Sequence, residues 1–183
     1  MIRLLDIFLS FLGLMLLSPI LALLFFILFF DTGVPLFRQE RIGLLEKPFT
    51  LFKFRTMSLD SASVASHLAD SSKITKFGSF LRKTKLDELP QLWNVLMGDM
   101  SLVGPRPGLF NQKELHKARK LHEVFKARPG ITGLAQVNGI DMSTPELLAE
   151  TDARMLKTLN TKDYFKYIVM TILGRGQGDA AKR

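Results

Sequence analysis

The chain contains no cysteine, and this absence removes several kinds of chemistry. Without thiols it can form no disulfide, no thiolate metal site and no covalent intermediate on cysteine. Its three histidines, His67, His116 and His122, lack the HExxH spacing of a helical metal site. No Asp-x-Asp pattern occurs either, although a glycosyltransferase that moves only the sugar of a nucleotide sugar would want one for its metal. The sequence therefore argues against thiol chemistry, a histidine-bound metal and that class of glycosyltransferase.

Basic residues exceed acidic ones, with 25 lysines and arginines against 17 aspartates and glutamates and a net charge of +8. The mean hydropathy is nevertheless positive, at +0.17. This combination favours an anionic membrane surface or phosphorylated substrates as partners. The charge alone would also suit nucleic acid, which we do not predict as a partner. The 183 residues are enough for one domain with a real core.

The longest apolar run extends from Ile7 to Phe30, between Asp6 and Asp31. As one straight helix it would reach about 36 Å at ~1.5 Å per residue, enough to cross a hydrocarbon core of ~30 Å. A cleaved signal peptide fits poorly, because the run is too long and no small-residue cleavage site follows it. The run therefore predicts a membrane segment.

Pro19 interrupts this run and bears on how it meets the membrane. The proline removes the hydrogen bond to the Met15 carbonyl, and the hydroxyl of Ser18 can satisfy that freed carbonyl. The halves on either side are each too short to cross a bilayer. We therefore predict a re-entrant helix–break–helix over residues 1–30 that enters and leaves by the same face. A kinked single span is the alternative, and it is the commoner arrangement for such a run.

The distribution of charge places the rest of the chain. All of the 25 lysines and arginines except Arg3 follow residue 30, so the positive-inside rule assigns residues 31–173 to the cytoplasm. Arg3 and Asp6 share a helix face and are expected to pair at the membrane interface. Residues 174–183 are predicted to form a disordered tail.

Two aromatic, β-prone segments follow the membrane segment. Leu36–Gln39 and Phe49–Thr56 flank a turn-like stretch and predict a β-hairpin. In the second segment Lys53 and Arg55 alternate with phenylalanines, so they share a face that suits either a soluble edge strand or a bound substrate. Later apolar patterns predict amphipathic helices at the membrane interface. We therefore predict a mainly helical α+β fold, in which a small cytoplasmic catalytic domain packs with the membrane segment.

Two adjacent carboxylates, Asp87 and Glu88, lie between basic residues and the predicted start of a helix. One interpretation is structural, with Asp87 as the helix cap and Glu88 in the first turn. The other is catalytic, because two carboxylates can bind Mg²⁺ together with substrate phosphate oxygens. One carboxylate could then attack phosphorus while Arg82 and Arg106 hold the phosphate oxygens. The spacing alone favours the structural interpretation.

The sequence around these carboxylates closely resembles one protein family. Residues 83–107 are KTKLDELPQLWNVLMGDMSLVGPRP, and FKFRTM at 52–57 and RPGITGLAQV at 128–137 match the same family in the same order. Together with the charged residues and the Ser-Pro pair of the membrane segment, these motifs are similar to those of the bacterial sugar transferases, the monotopic phosphoglycosyl transferases. The resemblance covers residues 2 to about 172, the catalytic core of a small single-domain member.

The resemblance implies a Mg²⁺-dependent enzyme that transfers a sugar phosphate from a UDP-sugar to undecaprenyl phosphate, an early membrane step of bacterial polysaccharide biosynthesis. It implies a re-entrant membrane segment and a location on the cytoplasmic face of the bacterial inner membrane. Asp87 is implied to be the nucleophile that takes the phosphosugar and expels UMP. Glu88 is implied to bind the metal with it or to assist the second step. Membrane lipids and downstream glycosyltransferases are the other expected partners.

Seven further residues become candidates for binding the donor. They are Lys53, Arg55, Arg82, Arg106, Arg128, Gln136 and Asp152. The sequence departs from the family near the last of these, because Met155 and Leu156 occupy positions where the family usually has a tyrosine pair. The donor contacts of that segment, and with them the sugar, are therefore expected to differ. The alternative function is that of a basic, membrane-anchored protein that binds lipid headgroups or nucleotides without catalysis.

Overall fold

The computed structural model describes residues 1–59 and 71–176, which form a mainly helical α+β fold, as predicted. The helices are α1 Ile2–Thr32, α2 Lys76–Thr84, α3 Gln91–Met97, α4 Lys113–Leu121, α5 Leu134–Val137, α6 Pro145–Thr158 and α7 Thr161–Ile172. The strands are β1 Leu36–Ile42, β2 Pro48–Phe54, β3 Ser101–Val103 and β4 Gly130–Thr132. Single turns of 3-10 helix lie at Leu44–Glu46, Ser71–Lys73, Leu86–Glu88 and Val124–Lys126.

Helix α1 continues through Pro19 without interruption. The Ser18 hydroxyl donates a 2.8 Å hydrogen bond to the Met15 carbonyl, which is the carbonyl that the proline leaves without its usual partner. This local hydrogen bond is the one that the sequence predicted. Because it satisfies the freed carbonyl, the helix is not divided, and the segment is one helix rather than the predicted two.

The N-terminal end of α1 is fastened to the rest of the domain by two charged residues. Asp6, only 2% exposed, accepts hydrogen bonds from the Ser101 hydroxyl, the Leu102 amide and the Tyr164 hydroxyl at 2.9–3.0 Å. The Arg3 guanidinium donates to carbonyl oxygens at the end of α3, those of Val95, Leu96 and Met100. The predicted Arg3–Asp6 pair is therefore wrong: the two side chains bind different parts of the domain.

The C-terminal part of α1 docks on the same domain. Leu24 and Leu28 are buried against Phe54 of β2 and Leu81 of α2. Along its most apolar stretch only 11% of the residues are buried, and by length and composition this helix could cross a membrane. Both ends of α1 therefore contact one domain, while most of the apolar surface between them is left uncovered.

The predicted hairpin is confirmed, and its two faces differ in character. Strands β1 and β2 pair antiparallel with Phe37 opposite Lys53 and Leu36 opposite Phe54. Side chains alternate across a strand, so odd-numbered and even-numbered residues point to opposite faces. One face carries buried polar residues, namely Gln39, Arg41 and Lys53. The other carries Leu36, Phe52 and Phe54 and faces α1.

The second sheet positions a loop rich in glycine and proline. Strands β3 and β4 pair in parallel, with Ser101 opposite Gly130 and Val103 opposite Thr132. At the end of β3 a Cβ on Gly130 would lie 2.0 Å from the Gly104 nitrogen, so the two backbones can approach only because this residue lacks a side chain. The loop after β3, residues 104–107, is thereby held against β4.

Candidate functional site

The two central carboxylates lie in the 3-10 turn Leu86–Glu88, between α2 and α3. Asp87 is 2% exposed and Glu88 8% exposed. Helix α3 begins only at Gln91, and its N-cap residue is Pro90. The structural interpretation of Asp87 as a helix cap is therefore wrong. Burial of two adjacent ionisable carboxylates is unfavourable unless partners or a ligand compensate, and such pairs are typical of functional sites.

Arg106 brings a positive charge to this turn. Its Nη2 lies 3.3 Å from Glu88 Oε1, and its side chain keeps 25% of its surface exposed. The pairing supports the prediction that Arg106 and the carboxylates share one site. A guanidinium carries five N–H donors in a planar arrangement, which suits the oxygens of a carboxylate or a phosphate.

The loop that carries Arg106 is fixed through its backbone. All four carbonyl oxygens of residues 104–107 accept hydrogen bonds of 2.7–3.1 Å. In chain order their donors are the Gln136 amide, the Gly130 backbone, the Arg119 guanidinium and the Arg41 guanidinium. Because each carbonyl is held, the direction in which the Arg106 side chain leaves the loop is set before any ligand binds.

A small polar pocket opens between the hairpin, the carboxylate turn and this loop. Its charged and polar lining residues are Arg41, Lys53, Glu88, Gln91 and Arg106. Three cations thus surround one carboxylate. This excess of positive charge suits phosphate oxygens, but the pocket encloses only about 10 Å³, room for about one water molecule, so a diphosphate would extend beyond it. Lys53, predicted from the sequence, is in this pocket and is 7% exposed.

Four of the other predicted donor-binding residues make different contacts. Arg55 donates to the Val34 carbonyl at 3.1 Å and lies over the Phe37 ring, 5.5 Å from its centroid. Since Phe37 is opposite Lys53, Arg55 stays on the predicted face but outside the polar pocket. The remaining contacts are Arg82 to the Thr56 hydroxyl, Arg128 to the Gly98 carbonyl and Gln136 to the Gly104 carbonyl.

Asp152 lies away from the polar pocket, in the interior of the domain. It is fully buried, and its Oδ2 accepts hydrogen bonds from Arg119 Nε at 3.1 Å and Nη2 at 2.7 Å. Burial raises the pKa of the Asp152 carboxyl, and the Arg119 charge and hydrogen bonds oppose that rise. The same arginine donates to the Arg106 carbonyl at 2.7 Å. Arg119 thus links Asp152 to the loop that carries Arg106, and the donor contact of Asp152 stays a prediction.

Three residues that shape the site were absent from the prediction. Gln91 lies within the matched motif and was overlooked. Arg41 could have been predicted from the sequence. It lies two residues after Gln39 on β1, so both side chains point to the face of the hairpin that also carries Lys53 of β2. Arg119 had none, since the charged sequence of α4 suggests an ordinary surface helix. Buried polar residues on an otherwise regular element are the sign to look for.

The side chains suit a metal only if the substrate helps to bind it. Among the described residues no group of three or more histidine, aspartate or glutamate side chains could hold a metal ion. Asp87 and Glu88 could each supply a carboxylate oxygen as a metal ligand, and Glu88 already pairs with Arg106. Mg²⁺ accepts one or two carboxylates together with substrate phosphate oxygens and water. The site therefore fits a Mg²⁺ ion that is completed by a bound diphosphate.

An apolar cavity of about 560 Å³ lies on the opposite face of the hairpin, against α1. Its lining includes Leu21, Phe25, Phe26, Phe54, Pro90 and Trp93. Pro90 belongs to the segment that follows the carboxylates directly. The polar pocket and the apolar cavity thus lie on opposite faces of the hairpin, and Pro90 connects the lining of the cavity to the carboxylate turn.

The family of this chain is established by comparison with known proteins. A family model described as bacterial sugar transferase matches residues 1–176. The chain belongs to the bacterial sugar transferases. This confirms the resemblance read from the motifs at 52–57, 83–107 and 128–137.

Relatives of this sugar transferase carry related names. It is 50% identical over 123 residues to the uncharacterized sugar transferase EpsL of Bacillus subtilis, which covers 66% of this chain. It is 43% identical over 142 residues, 75% of the chain, to a UDP-glucose:undecaprenyl-phosphate glucose-1-phosphate transferase of Klebsiella pneumoniae. It is 41% identical over 141 residues, 68% of the chain, to a UDP-galactose-lipid carrier transferase of Erwinia amylovora. The matched region spans 59%, 30% and 29% of these relatives.

Proposed function

We propose that this sugar transferase moves a sugar 1-phosphate from a UDP-sugar to undecaprenyl phosphate and releases UMP. The observation that carries the proposal is the buried Asp87–Glu88 pair, with Arg106 3.3 Å from Glu88, beside a pocket that also contains Arg41 and Lys53. Relatives named for transfer of glucose 1-phosphate from UDP-glucose to undecaprenyl phosphate support this substrate pair.

The first step is a displacement at the phosphorus that carries the sugar. A carboxylate oxygen of Asp87 attacks this phosphorus, and an acyl phosphate bond forms. The bond to the bridging oxygen of the diphosphate breaks, and UMP leaves with the electron pair. Arg106 and Lys53 neutralise charge on the phosphate oxygens as the diphosphate is cleaved. Bound Mg²⁺ would supply further charge neutralisation at these oxygens.

The second step transfers the phosphosugar from Asp87 to the lipid. A phosphate oxygen of undecaprenyl phosphate attacks the same phosphorus, the bond to Asp87 breaks, and the aspartate returns as a carboxylate. The lipid-linked sugar diphosphate is the product. Glu88 is adjacent to the reacting group and assists this step by orienting Arg106 toward the incoming phosphate, and it would be a ligand of Mg²⁺ when that ion is bound.

The two faces of the hairpin support this order of events. The charged donor needs only the polar pocket, whereas the acceptor needs that pocket for its phosphate and the apolar cavity for its chain. Because both substrates use the polar pocket, a covalent intermediate lets them occupy it in turn. The cavity, at about 560 Å³, accommodates a few prenyl units, and the rest of the chain would remain in the bilayer.

The contacts of α1 support a re-entrant topology on the cytoplasmic face of the bacterial inner membrane. A spanning helix would carry its two ends to opposite sides of the bilayer, about 30 Å apart. Here Asp6 near one end and Leu28 near the other are both buried in a single domain. Both ends therefore lie on the side of that domain, and a bend of the helix at Pro19 would let the uncovered middle of α1 enter the lipid. The excess of basic charge on that side favours a cytoplasmic location for it.

Single cysteine labels test this topology in a chain that has no cysteine of its own. We expect Ile2→Cys and Lys117→Cys to react with a membrane-impermeant maleimide only after the inner membrane is opened to the cytoplasmic side. Ile20→Cys, in the middle of α1, should be protected in both conditions. Labelling of Ile2→Cys from the periplasm of intact spheroplasts would instead favour a kinked single span.

Nucleotide release distinguishes the proposed reaction from its competitors. With a panel of UDP-sugars, Mg²⁺ and undecaprenyl phosphate, we expect UMP as the nucleotide product of at least one donor. A transferase that moves only the sugar would release UDP. A membrane-anchored binding protein would release neither, and this result with every donor would refute the proposal.

A further inference from the structure

The chain beyond α7 returns to the carboxylate turn as a short strap, residues Gly174–Gly176. Gly174 has a φ of 82°, and the Arg175 amide donates to the Met170 carbonyl at 2.9 Å, so the helix closes with a left-handed glycine and the chain reverses. These residues were predicted to belong to a disordered tail. Residues 177–183, the rest of that tail, lie outside the described part of the chain.

The strap makes two contacts with the site. The Arg175 carbonyl accepts a 2.6 Å hydrogen bond from Lys85 Nζ. Gly176 lies directly on the backbone of Gln136, where a Cβ would be 2.3 Å from the Gln136 carbonyl oxygen. Gly176 also has a φ of 81°, so both its space and its conformation favour glycine. The strap thus joins Lys85 to the residue that holds the Gly104 carbonyl.

Lys85 has a backbone conformation that is unfavourable for lysine. It ends α2 and immediately precedes the carboxylate turn, with a φ of 59° in the left-handed region. Glycine or asparagine would adopt this conformation with less strain. Burial lowers the pKa of the Lys85 ammonium, the charge of Glu88 raises it, and that of Arg106 lowers it. Its ammonium, held by the Arg175 carbonyl, belongs to a residue two positions before Asp87 along the chain.

We infer that Lys85 binds the nucleoside-side phosphate of the donor and that the strap Gly174–Gly176 positions its ammonium for that contact. A lysine ammonium has three hydrogen-bond donors, and the Arg175 carbonyl takes one of them. The bond to a backbone carbonyl leaves the positive charge intact and fixes its direction. Strained backbone conformations of this kind cluster at functional sites, where the side chain has a role that glycine could not fill.

This inference rests on the proposed function and adds a residue to it. The donor diphosphate carries two phosphorus atoms, and the proposed first step assigns Arg106 and Lys53 to the one that reacts. A further cation is needed where negative charge accumulates on the departing UMP, and Lys85 is the lysine next to the turn that carries Asp87. Lys85 is thus assigned to the leaving nucleotide, and it should matter for UMP binding as well as for turnover.

Lys85→Gly separates this role from a structural one. The substitution relieves the left-handed backbone conformation, so the melting temperature should stay the same or rise. Loss of a charge-assisted hydrogen bond should nevertheless weaken the binding of UMP, measured by calorimetry on the full chain, by about tenfold or more. The KM for undecaprenyl phosphate should change less than about twofold. Lys85→Arg, which keeps the charge, should recover part of the UMP affinity.

Two truncations test the strap. A chain that ends after Gly176 keeps the strap and should bind UMP as the full chain does. A chain that ends after Leu173 lacks it, and its UMP affinity should fall by about three- to tenfold. Combined with Lys85→Gly, the shorter truncation should add little further loss, because both changes remove one contact.

Three results would overturn the inference in different ways. Unchanged UMP affinity in Lys85→Gly would remove Lys85 from the donor site, while continued UMP release by the wild type would leave the proposed function intact. If the two truncated chains bound UMP with equal affinity, the strap would not position Lys85. A wild-type chain that neither binds UMP nor releases it from any UDP-sugar would defeat the proposed function and the inference together.

Discussion

Replacing Asp87 with asparagine is expected to abolish turnover, lowering kcat by about 10⁴-fold or more, the scale seen when an enzyme loses its nucleophile. An amide oxygen cannot form the acyl phosphate on which the proposed first step depends. Because Asp87 does not cap α3, the loss cannot be attributed to an unravelled helix start. UMP release from a UDP-sugar, followed with and without undecaprenyl phosphate, is the measurement.

Two matched variants make this result specific. Asp87→Glu keeps the carboxylate but displaces it by one methylene, so we expect a residual activity well above that of Asp87→Asn. Asp141→Asn removes one negative charge from an exposed turn and should leave turnover unchanged. If Asp87→Asn retained activity within about tenfold of wild type, Asp87 would not be the nucleophile.

The largest effect on stability is expected from Arg119→Met. The substitution leaves Asp152 fully buried without its cation, and removing one partner of a buried ion pair typically costs about 3–5 kcal/mol of unfolding free energy. The corresponding fall in melting temperature is about 6–20 °C. In contrast Lys120→Met, which breaks the exposed pair between Lys120 and Glu46, should cost less than about 1 kcal/mol.

The pH dependence of Arg119→Met follows from the same burial. Without Arg119 to oppose it, burial should hold the pKa of Asp152 well above the ordinary aspartate value of about 3.9. Between the unfolded and the folded pKa of Asp152, the folded state then binds more protons than the unfolded state. The free energy of unfolding should therefore fall as the pH rises through this range. Chemical denaturation at pH 4.5 and pH 7.5 measures this, and a greater stability at pH 7.5 would contradict it.

A double variant separates the two roles of Arg119. Arg119→Met with Asp152→Leu removes both charges, so much of the lost stability should return. Turnover should not return with it, because the Arg106 carbonyl still lacks the donor that holds it at 2.7 Å. Full recovery of both stability and turnover would mean that the pair has no positioning role.

The local pattern predicted the hairpin but not the course of α1. Period-two alternation around Lys53 indicated a strand with two different faces, and local sequence is sufficient for that prediction. For Pro19 the sequence indicated the lost hydrogen bond and also its remedy at Ser18. How α1 lies against the domain depends on contacts at its two ends, through Asp6 and Leu28, and no local pattern contains that information.

The candidate site was partly predictable for a similar reason. Asp87, Glu88, Arg106 and Lys53 come from motifs whose residues meet in the fold. Asp152 was assigned to the donor because sequence cannot tell a buried ion pair from a ligand contact. Its partner Arg119 is 33 positions away along the chain, and only the tertiary structure places them together. The sequence therefore did not reveal which charged residues pair with each other across long distances in the chain.

Direct observation of the phosphosugar on Asp87 tests the central claim. The 183-residue chain is incubated with Mg²⁺ and a UDP-sugar that supports UMP release, without undecaprenyl phosphate, and analysed by intact-protein mass spectrometry. We predict about one added phosphosugar per chain, located on the peptide that contains Asp87, absent in Asp87→Asn and discharged when undecaprenyl phosphate is added. No adduct, with UMP released only when both substrates are present, would contradict the account and indicate direct transfer in a ternary complex.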